Sequence, residues 1–137
     1  AAESEAGLRD VAVYEDFATR VTGIRDELRG FLAQARREGK VVAAYGAAAK
    51  GNTLLNYCGV TASEIALVAD LSPHKQDLIL PGSRIPIMSP DALRELRPDY
   101  ILILPWNLRS EIIEQLADAR DWGGAFVTAV PALEVTT

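Results

Sequence analysis

The stretch Val41-Val42-Ala43-Ala44-Tyr45-Gly46-Ala47-Ala48-Ala49-Lys50-Gly51-Asn52 decides the fold. Its first five residues are apolar and β-rich at the start, the pattern of a buried strand. Gly46 to Asn52 interrupt the run, and Thr53 to Tyr57 then read as a short helix ended by Gly59. The segment Gly46-Ala47-Ala48-Ala49-Lys50-Gly51 fits G-x-A-x-x-G, a degenerate dinucleotide fingerprint between a strand and a helix. Gly46 permits the tight turn, small residues let a ligand approach the backbone, and Gly51 lets the helix pack on the strand. The helix N-terminus then offers free N–H groups and partial positive charge to an anion.

Working outward, residues 12–38 read as a long helix, because Phe17, Val21, Ile24, Leu28, Phe31, Leu32 and Ala35 recur at spacings of three and four. Its apolar stripe suits packing on the chain's own core, or docking onto something else. Glu64 to Asp70 read as a second strand, and Arg84 to Met88 as a short edge strand broken by Pro86. Ser89 and Pro90 open a helix over 90–96. Tyr100 to Leu104 is a strong buried strand, and Asn107 or Ser110 caps a helix running to about Arg120. Gly123-Gly124 ends it, Ala125 to Val130 is a further strand, and Leu133 to Val135 is the place for a last short one. Strands alternating with helices predict a mostly parallel open sheet covered on both faces, Rossmann-like, after a long N-terminal helix. The expected organisation is a single domain over 1–137, with its α/β core at 41–135.

Length and composition bound the rest. The 137 residues suit one domain. With 14 basic and 19 acidic side chains the net charge is −5, which argues against nucleic acid or an anionic membrane as partner. Only six charged residues fall in 41–88: Lys50, Glu64, Asp70, Lys75, Asp77 and Arg84. A charge-poor middle reads as buried strands and tight loops, with the remaining charges at strand ends. One Cys and one His exclude a structural zinc site and a disulfide framework. No apolar run has membrane-span length and the N-terminus does not resemble a signal peptide, so a cytoplasmic location is expected.

Two strand ends carry the candidate binding chemistry. Asp70 ends the second strand, 24 residues after Gly46, near the position where an acidic group binds a ribose hydroxyl. Lys50 adds a cation to the first loop but precedes Gly51, so the pattern is not a Walker loop. The same residues also suit any tight strand-to-helix turn, with Asp70 capping the turn that follows. Leu104-Pro105-Trp106-Asn107 ends a later strand, and such loops gather at the carboxyl ends of parallel strands. Trp106 suits stacking on a base or sugar, or packing on the sheet edge; Asn107 suits a ligand contact or an N-cap. His74 suits an exposed loop position or, beside a strand end, a general base, and Cys58 suits buried filler more than a nucleophile. No complete catalytic set is present.

Tyr45 through Gly59, Pro98-Asp99-Tyr100-Ile101-Leu102-Ile103-Leu104-Pro105-Trp106-Asn107-Leu108, Leu80-Pro81-Gly82-Ser83, Pro73-x-Lys75-Gln76 and Trp122-Gly123-Gly124 together resemble the C-terminal domain of SAM-dependent sugar C-methyltransferases. The resemblance covers about residues 12 to 135. It implies a Rossmann-like domain that closes over a nucleotide-linked deoxysugar, with Lys50 and Asn52 near its phosphates or sugar. It places SAM, the catalytic base and zinc in other domains, with which this one would work in cis or trans. No catalytic residue, cofactor or metal is then expected in this chain, which reads as one part of such an enzyme. The substrate-binding set under this reading is Gly46, Lys50, Gly51, Asn52, Asp70, Trp106 and Asn107. An independent NAD(H)-binding module on Gly46, Gly51 and Asp70, and a ligand-free docking domain, are the other readings. Ser72 stands where the family commonly has Asn, and Asp77 where it commonly has Gly.

Overall fold

A computed structural model describes the backbone of residues 2–130 and 132–137, and the side chains from Arg20 onward except Pro131. Helix α1 (Ala2–Arg37) comes first. Strand β1 (Val42–Tyr45) leads into α2 (Ala49–Tyr57), followed by the short strands β2 (Val68–Ala69) and β3 (Ile87–Met88). Then come α3 (Pro90–Leu96), β4 (Tyr100–Ile103), α4 (Arg109–Gln115), β5 (Ala125–Thr128) and β6 (Glu134–Thr136). Single 3₁₀ segments at Trp106–Leu108 and Ala117–Trp122 flank α4.

The six strands form one sheet in the order β3-β2-β1-β4-β5-β6. The first five are parallel, and β6 returns antiparallel to β5. The chain therefore winds outward from β1 in one direction through β2 and β3, and in the other through β4 and β5. The switch point of this doubly wound sheet lies between β1 and β4, whose ends are level: Tyr45 pairs with Ile103.

Period-two alternation splits the core between two faces. Val42 and Ala44 of β1 and Leu102 of β4 join Leu28, Leu32 and Ala35 of α1 and Leu55 of α2 on one face. Ala43 and Tyr45 with Ile101 and Ile103 face Leu93 of α3 and Ile112 of α4 on the other. The apolar stripe expected on α1 packs onto the chain's own core from Ile24 to Ala35, while Val21 is only partly buried and Phe17 lies outside the described side chains. Arg29 fastens α1 further, donating two hydrogen bonds to the Glu64 carboxylate at 2.6 and 2.8 Å.

Several boundaries differ from the sequence reading, each for a local reason. β2 has two residues instead of the expected seven, because Ile65 and Glu64 close a turn onto Thr61 and only Val68 and Ala69 are in register with β1. α2 begins at Ala49, four residues early, since Ala and Lys are good helix formers once Gly46 has made the turn. The helix expected to run to Arg120 breaks at Leu116, where α4 passes into the 3₁₀ segment. Ser89 precedes α3 as expected, but its side chain makes no capping bond.

Candidate functional site

The site begins with a turn that only glycine suits. Gly46 has φ +94°, and a Cβ there would lie 2.5 Å from Pro105 Cδ. The β1–α2 loop and the β4–α4 loop are therefore in direct contact across the switch point. One step further, a Cβ on Gly51 would stand 2.7 Å from Leu104 Cβ, so α2 seats its first turn directly on the end of β4. Both glycines do what the fingerprint requires of them: one makes the turn and one allows helix and strand to meet.

The peptide of Ala47 is held from both sides by the segment after β2. Its N–H donates to Asp70 Oδ2 at 2.8 Å, and its carbonyl accepts from Lys75 Nζ at 3.1 Å. The other Asp70 oxygen accepts from the Ser72 N–H at 2.8 Å, and Gln76 Nε2 donates to the Asp70 carbonyl at 2.9 Å. Asp70 thus caps two turns, the simpler of the roles open to it from sequence. The sequence marks Lys75 as a motif residue and as one of the few charges expected near strand ends, and the three-dimensional path of the loop shows it as a clasp on the glycine turn.

The N-terminus of α2 has no side-chain cap and no acidic residue in its first turn, yet it carries Lys50. Partial charge and full charge of the same sign meet there without an acidic neighbour on the helix, an arrangement that favours an anion. Lys50 is exposed and makes no hydrogen bond or ion pair among the described residues.

Beside Lys50 a groove of about 550 Å³ is lined by Val21 and Ile24 of α1, by Leu54 and Tyr57 of α2, and by Trp106. Thr53 and Val130 also border it, and its surface is almost wholly apolar. The Arg25 guanidinium lies 5.6 Å from the Tyr57 ring centroid. Of the residues singled out from sequence, Lys50 and Trp106 share this groove, while Gly46, Gly51 and Asp70 build the loops beside it. Asn52 and Asn107 do not line it. Asn52 Oδ1 is buried without a hydrogen-bond partner, and Asn107 is exposed and does not cap α4. Val21, Ile24 and Tyr57 were legible only as helix-face residues, because groove walls and core stripes share the same helical spacing.

On the opposite sheet face, Gln115 Nε2 donates to the Tyr45 hydroxyl at 2.8 Å. Burial pushes the Tyr45 phenol above its ordinary pKa, partly offset by that hydrogen bond. Burial likewise raises the Cys58 thiol, against the weaker pull of Arg25 and Arg29. His74 is exposed. Among the described residues no three His, Cys, Asp or Glu side chains cluster as metal ligands, and no helix is long and apolar enough to cross a membrane.

A mostly parallel sheet that reverses its winding beside a glycine turn defines a doubly wound, Rossmann-like α/β unit. The chain belongs to the C-methyltransferase C-terminal domain family, whose match covers residues 1–131. It is 40% identical over 131 residues to the C-methyltransferase NovU of Streptomyces niveus. That alignment takes in 96% of this chain and 31% of the relative, so the chain spans about a third of the protein it matches.

Proposed function

We propose that this chain is the substrate-binding domain of a SAM-dependent sugar C-methyltransferase and holds a nucleotide-linked deoxysugar at the switch point. The observation that carries this reading is the meeting of the two strand-end loops, Gly46 against Pro105, with Lys50 and Trp106 on one groove beside them. The uncapped α2 N-terminus and Lys50 supply the charge for a diphosphate, and Trp106 supplies a face to cover the ligand. Membership of the C-methyltransferase C-terminal domain family supports the reaction class.

Zinc does not fit the described residues, which gather no ligand cluster. On this reading SAM, zinc and the methyl-transfer chemistry belong to a catalytic domain acting in cis or trans. Residues 1–137 act as one domain that binds, orients and covers the substrate. Neither nucleic acid nor a membrane is its partner, and a buried, unpaired Cys58 suits the cytoplasm.

The dinucleotide alternative is less well supported. Both oxygens of Asp70, its ribose acceptor, already take backbone N–H bonds, and the Lys75 clasp lies beside the glycine turn. Calorimetric titration of the 137-residue chain tests the choice. A thymidine-diphosphate-linked 6-deoxysugar is expected to bind and NAD to bind far more weakly. Preference for NAD would overturn the proposal.

A further inference from the structure

We infer that the groove between α1 and α2 is the seat of the nucleotide's base, held by stacking and apolar contact without any reading of its hydrogen-bonding edge. This rests on the nucleotide reading above and assigns one part of that ligand to one part of the surface.

Three observations carry it. First, the groove has the volume of a small-molecule site, about 550 Å³, where binding pockets commonly hold roughly 300–1,000 Å³. Second, its chemistry is one-sided: Val21, Ile24, Leu54, Tyr57 and Trp106 give it an apolar surface with two aromatic rings, and among the described residues Lys50 is the one charged side chain lining it. A diphosphate or a hydroxyl-rich sugar would lose its hydration against such a wall with no hydrogen bonds in return. A flat heterocycle gains there, because every base has a π-face and stacking on aromatic side chains tolerates sequence. Third, the charge lies at the correct end. Lys50 stands in the first turn of α2, beside the glycine turn, so a base in the groove leaves its diphosphate toward the lysine and the helix N-terminus. An apolar body with an anionic end is the occupant whose charge complements this surface.

The Thr53 hydroxyl fits the same account, because it already donates to the Ala49 carbonyl at 3.0 Å within its own helix. The Arg25 guanidinium lies 5.6 Å from the Tyr57 ring centroid, a cation–π contact between α1 and α2. The groove therefore measures shape and aromaticity, and this chain by itself is expected to accept thymine, uracil and cytosine nearly alike.

The test is titration of the 137-residue chain with thymidine, uridine and cytidine diphosphates, and with methyl diphosphate as the base-free comparator. Affinity would be read by calorimetry and site occupancy by the Trp106 indole NMR signal. The three nucleotides are expected to agree within about threefold and to bind about tenfold or more tightly than methyl diphosphate. Trp106→Ala should bring the nucleotides down to the level of methyl diphosphate. Thr53→Trp, at an exposed helix position where folding is not at stake, should do the same by filling the groove, with methyl diphosphate unchanged. Equal affinity for nucleotides and methyl diphosphate would overturn this inference and leave the diphosphate reading standing. No binding of either would overturn both. A large preference for one pyrimidine would overturn the claim that the edge goes unread. An indole signal that moves with protein concentration and ignores nucleotide would make the groove a face between copies of the chain instead.

Discussion

Gly46 and Pro105 touch across the switch point: a Cβ on Gly46 would lie 2.5 Å from Pro105 Cδ and 2.9 Å from Cγ. Two loops nearly sixty residues apart in sequence therefore form one surface, and the glycine is what lets them meet.

Gly46→Ala should be severely destabilising, because the turn needs φ +94° and the proline ring cannot move aside. The expected loss is about 2–4 kcal/mol in urea denaturation, strain and overpacking together. Gly51→Ala, with Leu104 Cβ 2.7 Å away but φ ordinary, should cost less, about 1–3 kcal/mol.

Removing the Asp70 carboxylate should loosen the glycine turn. Asp70→Ala leaves the Ala47 and Ser72 N–H groups without their acceptor and is expected to cost about 1–3 kcal/mol. Amide hydrogen exchange at Ala47 should speed up more in Asp70→Ala than in Lys75→Met, which frees only the carbonyl of the same residue.

How much of this was legible beforehand depended on whether the physics was local. The glycine turn, the strand–helix alternation and the Pro90 start of α3 are set by residues within a few positions of each other, and sequence reading placed them. The sequence placed the Leu104–Asn107 loop at the same carboxyl end of the sheet as the glycine turn, but the pairing of β1 with β4 comes from the structure. The lengths of β2 and α4 did not follow, since they depend on register with another strand and on where the chain turns to meet it. The groove was the least legible feature. Val21 and Ile24 read as one stripe with Leu28, Leu32 and Ala35, and only the structure shows that Ile24 both packs against the core and, with Val21, lines a groove.

Asp77 offers a stabilising substitution. It adopts φ +69°, a left-handed conformation that costs a side chain and suits glycine, the residue common at that position in the family resemblance. Asp77→Gly should stabilise the chain by about 0.5–1 kcal/mol, and Asp77→Val should destabilise it by more than that. Thermal unfolding of the two variants checks both signs.

The Arg29–Glu64 pair should be a measurable tether of α1. The guanidinium reaches both carboxylate oxygens, and the Glu64 side chain is only 10% exposed against 41% for Arg29. A double-mutant cycle with Arg29→Met and Glu64→Gln is expected to give a coupling of about 1 kcal/mol, at the upper end for a partly exposed pair.

Stability should fall in alkali. Burial raises both the Tyr45 phenol and the Cys58 thiol, so folding favours their neutral, protonated forms. Their contribution is complete below the unfolded values, about 8.5 for the thiol and about 10 for the phenol, and is lost as pH rises through the higher folded ones. Urea denaturation from pH 7 to 11 should show a decline that begins above about pH 8.5, and Tyr45→Phe should remove the part that sets in near about pH 10.

The most direct test of the central claim is an amide and indole chemical-shift map of the 137-residue chain titrated with thymidine diphosphate. A site at the switch point predicts that Gly46 to Lys50 and Leu104 to Trp106 shift together along one saturation curve. Shifts confined to other surfaces, or none at millimolar nucleotide, would contradict it.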